Sequence, residues 1–499
     1  MTAPAAIDRA AVVAGLEGLG RLTAPGVRGR VEADFAVDDP ATGETLARVD
    51  DAPAELAESV VDVAARAQVA WEHRTPRERA DVLRRAHELV LADEDRLAAV
   101  MTLEMGKPLA ESRAEVRFSA EYLRWFSEEA VRDYGTYREA PNGGAKLLLT
   151  RRAAGVAVLI TPWNFPLAMG TRKAAPALAA GCTVILKPAA LTPLSALLLA
   201  DLMHRAGVPE EALQVVTTTD SRGWSAGLMA DPRVRKVSFT GSTRVGSTII
   251  RQSAEHVQKL SLELGGDAPF VVLDDADLDR AVEGALVSKI RNGGQACVAA
   301  NRILVQEGIA DEFTAELARR LGELRLGHGL DEGVQLGPLI SGSAREGACA
   351  LLEDAVGRGA EVALAGGAVN GAGHFFAPAV LDDVPADSDI ATNEIFAPIA
   401  AVRRFASDAE GVALANETRF GLAGYVFSQD IDRAMGVAHS LRTGVLGVNK
   451  GLVADATSEF GGNGYSGYGR EGGVEGMTDF QVLRQFNIDA PASKWQLDV

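Results

Sequence analysis

Between Glu55 and Leu103 apolar residues recur every three or four positions among Arg and Glu. That spacing lines one face of a helix, and the break near Thr75-Pro76 divides the stretch into two predicted amphipathic helices. Leu109 to Val131 carries the same period and reads as a further helix. The pattern then changes: the β-branched run Val156 to Ile160 predicts a strand, followed by a Pro-rich turn and a helical stretch from Arg172 to Ala180. Val184 to Leu186, Leu213 to Thr217 and Val234 to Thr240 read as strands, with helices over Ser195 to Ala206 and from Ser242. Strands alternating with helices imply a parallel sheet covered on both faces. A second α/β pattern runs from Ala276 to about Phe480, with helices over Ala310 to Leu324 and Ala344 to Gly357 and strands over Ala400 to Phe405 and Tyr425 to Ser428. Neither an internal repeat nor a low-complexity linker interrupts the chain, and the second unit is expected to begin after Gly265-Gly266.

At 499 residues the chain exceeds what one core supports, since single cores stop growing at roughly 250–300 residues. Two large domains are therefore expected, and 47% hydrophobic with 24% charged residues is globular usage. A net charge of −18 without any Lys/Arg run argues against nucleic acid as a partner. The N-terminal stretch is broken by Asp8, Arg9 and Glu17 and does not read as a signal peptide, and no apolar run approaches the length of a membrane span. Three scattered cysteines, Cys182, Cys297 and Cys349, fit a reducing cytoplasm better than a disulfide scaffold. Seven histidines without paired ligand spacing give no reason to propose a metal.

Several short segments carry candidate chemistry. Leu260 to Leu264 alternates, which puts Ser261 and Glu263 on one face if the segment is a strand. Taken alone, Glu263 fits a solvent-facing position on an edge strand as readily as a catalytic one. Cys297 directly follows the glycine-rich Arg291-Asn-Gly-Gly-Gln-Ala and precedes Val298-Ala299-Ala300, which suits a helix or strand opening. Peptide N–H groups at such a turn lower a thiol's pKa and bind a developing oxyanion, whereas most free cysteines, Cys182 and Cys349 among them, are small buried hydrophobes. Asn164 sits between two prolines in Thr161-Pro-Trp-Asn-Phe-Pro166, where its amide can donate to a substrate oxygen or simply form a turn. Phe239 to Gly246 follows a strand and opens a helix, a place suited to a dinucleotide, although it is not the GxGxxG fingerprint.

Together these segments resemble the aldehyde dehydrogenase superfamily, most of all its succinate-semialdehyde dehydrogenases, over residues 30–485. PWNFP at 162–166, KPA at 187–189, FTGS at 239–242, LELGG at 262–266, GQACVAANR at 294–302, EIFAP at 394–398 and SGYGREG at 466–472 occur in family order. The resemblance implies a Rossmann-type cofactor domain (1–133 and 154–264), an α/β catalytic domain (265–480) and a small β oligomerisation flap (134–153 and 481–499). It implies a homodimer or homotetramer. Cys297 becomes the nucleophile, Asn164 with the Cys297 N–H the oxyanion donors, and Glu263 the general base. Lys187 and Glu394 match ribose-binding residues, Gly241 and Ser242 the turn beside the nicotinamide, and Thr161, Pro162, Trp163 and Phe396 further cofactor contacts. NAD-preferring members carry Glu where this chain has Ala190, which admits NADP+ beside NAD+ and favours it; Thr218 and Arg222 mark a second departure in the same region. Arg172 and Arg291 match the pair that clamps a substrate's far carboxylate, although the serine that assists them falls near Ala454-Asp455 here. The family's C-terminal lysine is Gly464, flanked by Asn463 and Tyr465. Oxidation of succinate semialdehyde or a similar ω-oxo acid is the function implied. An uncharged or biosynthetic-pathway aldehyde is the alternative, and a non-catalytic binding protein of the same fold the remote one. Glu263 counts against a CoA-dependent reaction.

Overall fold

In a computed structural model, which describes residues 7–21 and 24–489, the alternating strands and helices build two sheets, each with its own core. The first sheet has six strands in the order Gly467–Tyr468, Lys259–Glu263, Val234–Thr240, Val156–Ile160, Val184–Lys187, Leu213–Val215, all parallel except the first. The second has seven, in the order Glu361–Leu364, Ala379–Asp382, Ile399–Phe405, Arg302–Gln306, Pro269–Val272, Ala423–Phe427, Val445–Val448. Val156–Ile160 and Pro269–Val272 are buried at every position, as strands covered on both faces must be.

The N-terminal half differs from its predicted outline in two places. Glu55 to Leu103 holds three helices rather than two, Ala57–Glu72, Pro76–Ala92 and Glu94–Met105. The legible break at Thr75-Pro76 is a helix start, where Thr75 closes a capping box with Glu78. The second break, at Asp93, was not legible, because the apolar period runs on through it while Asp93 itself leaves the helical conformation at φ −103° and ψ 20°. The helix expected from Arg172 begins at Pro166 and runs to Ala180. Its first free amides, Leu167 N and Ala168 N, each donate to Glu115 Oε1 at 3.1 Å, a cap supplied by the distant helix Leu109–Glu129.

Glu263 does not lie on an edge. Its strand is flanked by Val234–Thr240 on one side and by Gly467–Tyr468 on the other, and the side chain is 2% exposed. The strand Gly467–Tyr468 also shows that the chain leaves the second sheet before residue 480: Ala456, Met477 and Phe480 pack into the first core. Thr136–Glu139, Ala145–Ala153 and Gln481–Asp489 form a separate three-stranded antiparallel sheet. One of its faces carries Tyr137, Val482 and Phe486, all exposed, and the part of the expected flap beyond residue 489 lies outside the described residues.

Candidate active site

The segment before Cys297 is set by backbone conformation. Helix Leu278–Ile290 ends in a 3-10 turn, Arg291–Gly294, in which Asn292, Gly293 and Gly294 all take positive φ, 56°, 64° and 76°. Only glycine fits at 294, where a Cβ would collide with the Ala397 carbonyl. The chain then forms a turn over Gln295 to Ala299, not the helix or strand opening expected after Cys297, and enters the strand Arg302–Gln306. Cys297 is half-buried. Gly266 lies against it: a Cβ there would come within 2.7 Å of the Cys297 carbonyl oxygen.

Asn164 is buried beside this turn, and its Nδ2 donates to the Gln295 carbonyl at 3.0 Å. A primary amide has two N–H bonds, so one is anchored and the other remains for a ligand oxygen. Glu263 is fully enclosed, and neither carboxylate oxygen has a hydrogen-bond partner among the described residues. Burial first, and the charge of Glu471 second, push its carboxyl well above the usual carboxylate range, against Arg172 and Lys173. Glu471 itself stays below the ordinary value: burial opposes ionisation, but the adjacent Lys173 ammonium and Arg172 guanidinium overcome it.

The thiol contradicts the expectation that peptide dipoles lower its pKa. Burial, and then the charge of Glu394, push Cys297 up to about 12, and Arg172 offsets only part of this. In this state the sulfur is protonated and needs a base, which the buried Glu263 carboxylate is suited to supply. Alkylation of Cys297 by iodoacetamide in the free enzyme, followed on its own peptide by mass spectrometry, is therefore expected to rise about tenfold per pH unit up to about pH 10. A plateau above about pH 9 would indicate an ordinary thiol and contradict the burial argument.

Arg172 and Arg291 occupy unlike surroundings. The Arg172 guanidinium is 3% exposed, lies 3.9 Å over the Phe460 ring and pairs with Glu471 at 2.9 Å, while its Nη2 has no hydrogen-bond partner among the described residues. Arg291 is half-buried, stacks at 4.8 Å on Phe165 and lines a cavity of about 430 Å³ with Glu111, Ile290 and Leu452. Among the described residues no carboxylate is within ion-pair distance of Arg291. Tyr122, fully buried and pushed up to about 12 by burial, feels both guanidinium charges and the more distant Asp455. Asp455 replaces the expected serine region and is itself occupied, accepting from Thr457 N and Thr457 Oγ1 at 2.8 and 2.7 Å.

The carboxyl ends of the first sheet meet the second body at the positions expected to hold a dinucleotide. Lys187 is buried, its ammonium hydrogen-bonds only the Pro188 carbonyl at 3.1 Å among the described residues, and burial lowers its pKa to about 8. Thr161 N donates to the Lys187 carbonyl, which ties the Pro162-Trp163 turn to that strand. Trp163 meets Phe396 edge-on at 5.5 Å, and Phe396 is held at a φ of 50°, an uncommon position for an aromatic residue. Glu394 accepts from Gly266 N at 3.2 Å, and burial raises its carboxyl to about 7. Ser242 caps the helix Thr243–Ser253, leaving that helix N-terminus open beside Gly241, whose Cβ would meet the Phe239 ring at 2.5 Å. Ala190 is half-buried and small, Thr218 is buried, and Arg222 is exposed. A buried cation without a charged partner among the described residues, an acceptor carboxylate, an exposed helix N-terminus and an aromatic pair fit a nicotinamide dinucleotide.

Lys107, Glu111, Glu115, Tyr122, Lys173, Asn292 and Glu471 also belong to this site and were not singled out from the sequence. Their signal was weak: Glu111 and Glu115 lie one turn apart on a helix that also carries Glu121, Glu128 and Glu129, and Glu471 sits inside a glycine-rich segment.

A nucleotide-type sheet closed against a second α/β body, with thiol, carboxylate and amide gathered between them, is the arrangement of an oxidoreductase. The sequence pattern described as the aldehyde dehydrogenase family matches residues 27–486, and the chain belongs to that family. It is 49% identical over 446 residues to a succinate-semialdehyde dehydrogenase of Paenarthrobacter nicotinovorans, covering 89% of this chain and 99% of the relative. It is 46% identical to the NADP(+) succinate-semialdehyde dehydrogenase of Escherichia coli strain K12, covering 91% and 94%. The crystal structure of succinate-semialdehyde dehydrogenase from Burkholderia pseudomallei, 45% identical, superposes with a TM-score of 0.90 over 92% of this chain and 95% of that one.

Proposed function

We propose that the protein oxidises succinate semialdehyde, or a similar ω-oxo acid, to the dicarboxylic acid with NADP+. The observation that carries the substrate class is Arg172: a buried guanidinium whose Nη2 has no partner among the described residues and whose field reaches the Cys297 thiol. The names of the relatives support the same class. In this reading Arg172 and Arg291 hold the far carboxylate and so fix the aldehyde carbon against the sulfur. Glu263 takes the Cys297 proton, the sulfur adds to the carbonyl carbon, and the new oxyanion is held by the free N–H of Asn164 and by the Cys297 main-chain N–H. The cofactor, when bound, supplies the acceptor for the hydride that leaves the substrate carbon. A thioester on Cys297 remains, and Glu263, once it has released the thiol proton to solvent, removes a proton from the water that hydrolyses the thioester.

Lys187 and Glu394 would hold the ribose hydroxyls, Gly241 and Ser242 form the turn beside the nicotinamide, and Trp163 and Phe396 flank the ring end. With Ala190 in place of a carboxylate, nothing at that position repels a 2′-phosphate. Ala190→Glu is expected to raise KM for NADP+ at least tenfold, about 1.4 kcal/mol, and to leave KM for NAD+ unchanged or lower. Equal effects on both cofactors would remove Ala190 from the discrimination.

A second reading, an uncharged substrate, is favoured by Asp455, whose negative charge acts on the same Tyr122 that Arg172 and Arg291 act on. A spectrophotometric panel of acidic and neutral aldehydes with NAD+ and NADP+, with and without CoA, separates the readings. The apolar face of the three-stranded sheet supports a homo-oligomer, and the free cysteines a reducing, cytoplasmic setting.

A further inference from the structure

Two donors from distant parts of the chain converge on one atom, the main-chain oxygen of Asn164. Lys107 Nζ donates to it at 2.8 Å and Asn292 Nδ2 at 2.9 Å. Lys107 precedes the helix Leu109–Glu129, which turns Glu111 and Glu115 toward the same place one helical turn apart. Glu115 Oε2 takes the Lys107 ammonium at 2.5 Å, while Glu115 Oε1 accepts from Leu167 N and Ala168 N, just beyond Asn164. Glu111 Oε2 accepts from Asn292 N at 2.7 Å. Asn292 Nδ2 also reaches the Gln295 carbonyl at 3.1 Å, the oxygen that anchors the Asn164 side chain. Gln295 Nε2 closes the loop on the Asn292 carbonyl at 3.0 Å.

Lys107, Glu115, Asn164, Asn292 and Gln295 are all buried. A buried ion pair is a poor source of stability, because the desolvation of both charges consumes most of their attraction. What this one does is specific: it fixes the wall carrying Asn164 and the wall carrying Cys297 to one helix. Asn292 spans the two walls itself, from the strained φ of 56°. An oxyanion donor is effective only when it is already aimed, since reorientation during the reaction would cancel its advantage.

We propose that Lys107 and Asn292 are positioning residues that lock the Asn164 peptide, and through it leave one side-chain N–H aimed at the oxyanion. This rests on the reading of Asn164 as an oxyanion donor. Asn292→Gly is the sharpest variant, because glycine adopts a φ of 56° without strain while the side chain that reaches the Asn164 and Gln295 carbonyls is removed. Lys107→Met removes the ammonium and keeps the stem. Each is expected to lower kcat at least tenfold, with KM for NADP+ within about twofold and, for Asn292→Gly, no drop in thermal midpoint. Asn164→Ala alone should cost about 10²-fold. In the Asn164→Ala background both further substitutions should change kcat less than about twofold, because the group they aim is gone. Losses that persist undiminished in that background, or full kcat in Asn292→Gly, overturn the positioning role. Full kcat in Asn164→Ala overturns the oxyanion reading as well, and so is distinguishable. Should Lys107→Met fail to fold, the Asn292→Gly pair of measurements decides the matter.

Discussion

Glu263→Gln is expected to produce a burst of reduced cofactor close to one per active site and then almost no turnover, whereas Cys297→Ala produces neither. The two losses separate because hydride departure precedes deacylation. Without Cys297 no covalent adduct forms, and kcat falls on the order of 10⁴-fold or more. Without the Glu263 carboxylate, water at the thioester lacks its base, a deficit of about 10²–10⁴ in steady-state kcat. The glutamine fits the space: both Glu263 oxygens are enclosed without hydrogen-bond partners, so replacing one by NH2 breaks no bond among the described residues. The pH dependence follows from the direction of the shift. A base works deprotonated, and burial with the Glu471 charge raises the Glu263 carboxyl well above its ordinary value. Wild-type kcat should therefore be lost as pH falls through that raised pKa, and this limb should vanish in Glu263→Gln. The absence of a burst from folded Glu263→Gln protein, measured by rapid-mixing absorbance, would remove Glu263 from the deacylation step.

The second large effect concerns substrate choice. Acidic semialdehydes should exceed neutral aldehydes of equal length at least tenfold in kcat/KM, about 1.4 kcal/mol of transition-state binding. Arg291→Ala is the cleaner probe. Its guanidinium stacks on Phe165 at the cavity wall and is held by no carboxylate among the described residues, so truncation removes a ligand contact more than a structural one. It should abolish most of the acidic preference and leave a neutral aldehyde nearly untouched. Arg172→Ala should abolish it as well, but at a second cost. Arg172 pairs with buried Glu471, and stranding that carboxylate destabilises the fold by up to about 3 kcal/mol even with Lys173 still in place. A wild-type enzyme without any acidic preference would leave the family assignment standing and end the clamp reading.

What was readable from the chain alone was whatever local chemistry encodes. The period of apolar residues marked the helices, the break at Thr75-Pro76 marked one helix start, and the β-branched runs marked the buried strands. The ordered motifs around Asn164, Glu263 and Cys297 marked the family because each is a contiguous segment. What tertiary structure alone decided was everything that depends on a partner distant in sequence. Glu263 looked like an edge residue until Gly467–Tyr468 returned to cover its strand. The helix carrying Arg172 starts earlier than its own sequence implies because Glu115, on another helix, caps it. The thiol is raised rather than lowered because burial and the Glu394 charge outweigh the local peptide dipoles. Lys107 and Asn292 are 185 positions apart by number (292 less 107), yet meet on one oxygen. Hydrophobic periodicity and turn chemistry act over a few residues and survive in one dimension, whereas desolvation, charge fields and convergent hydrogen bonds exist only once the chain has folded.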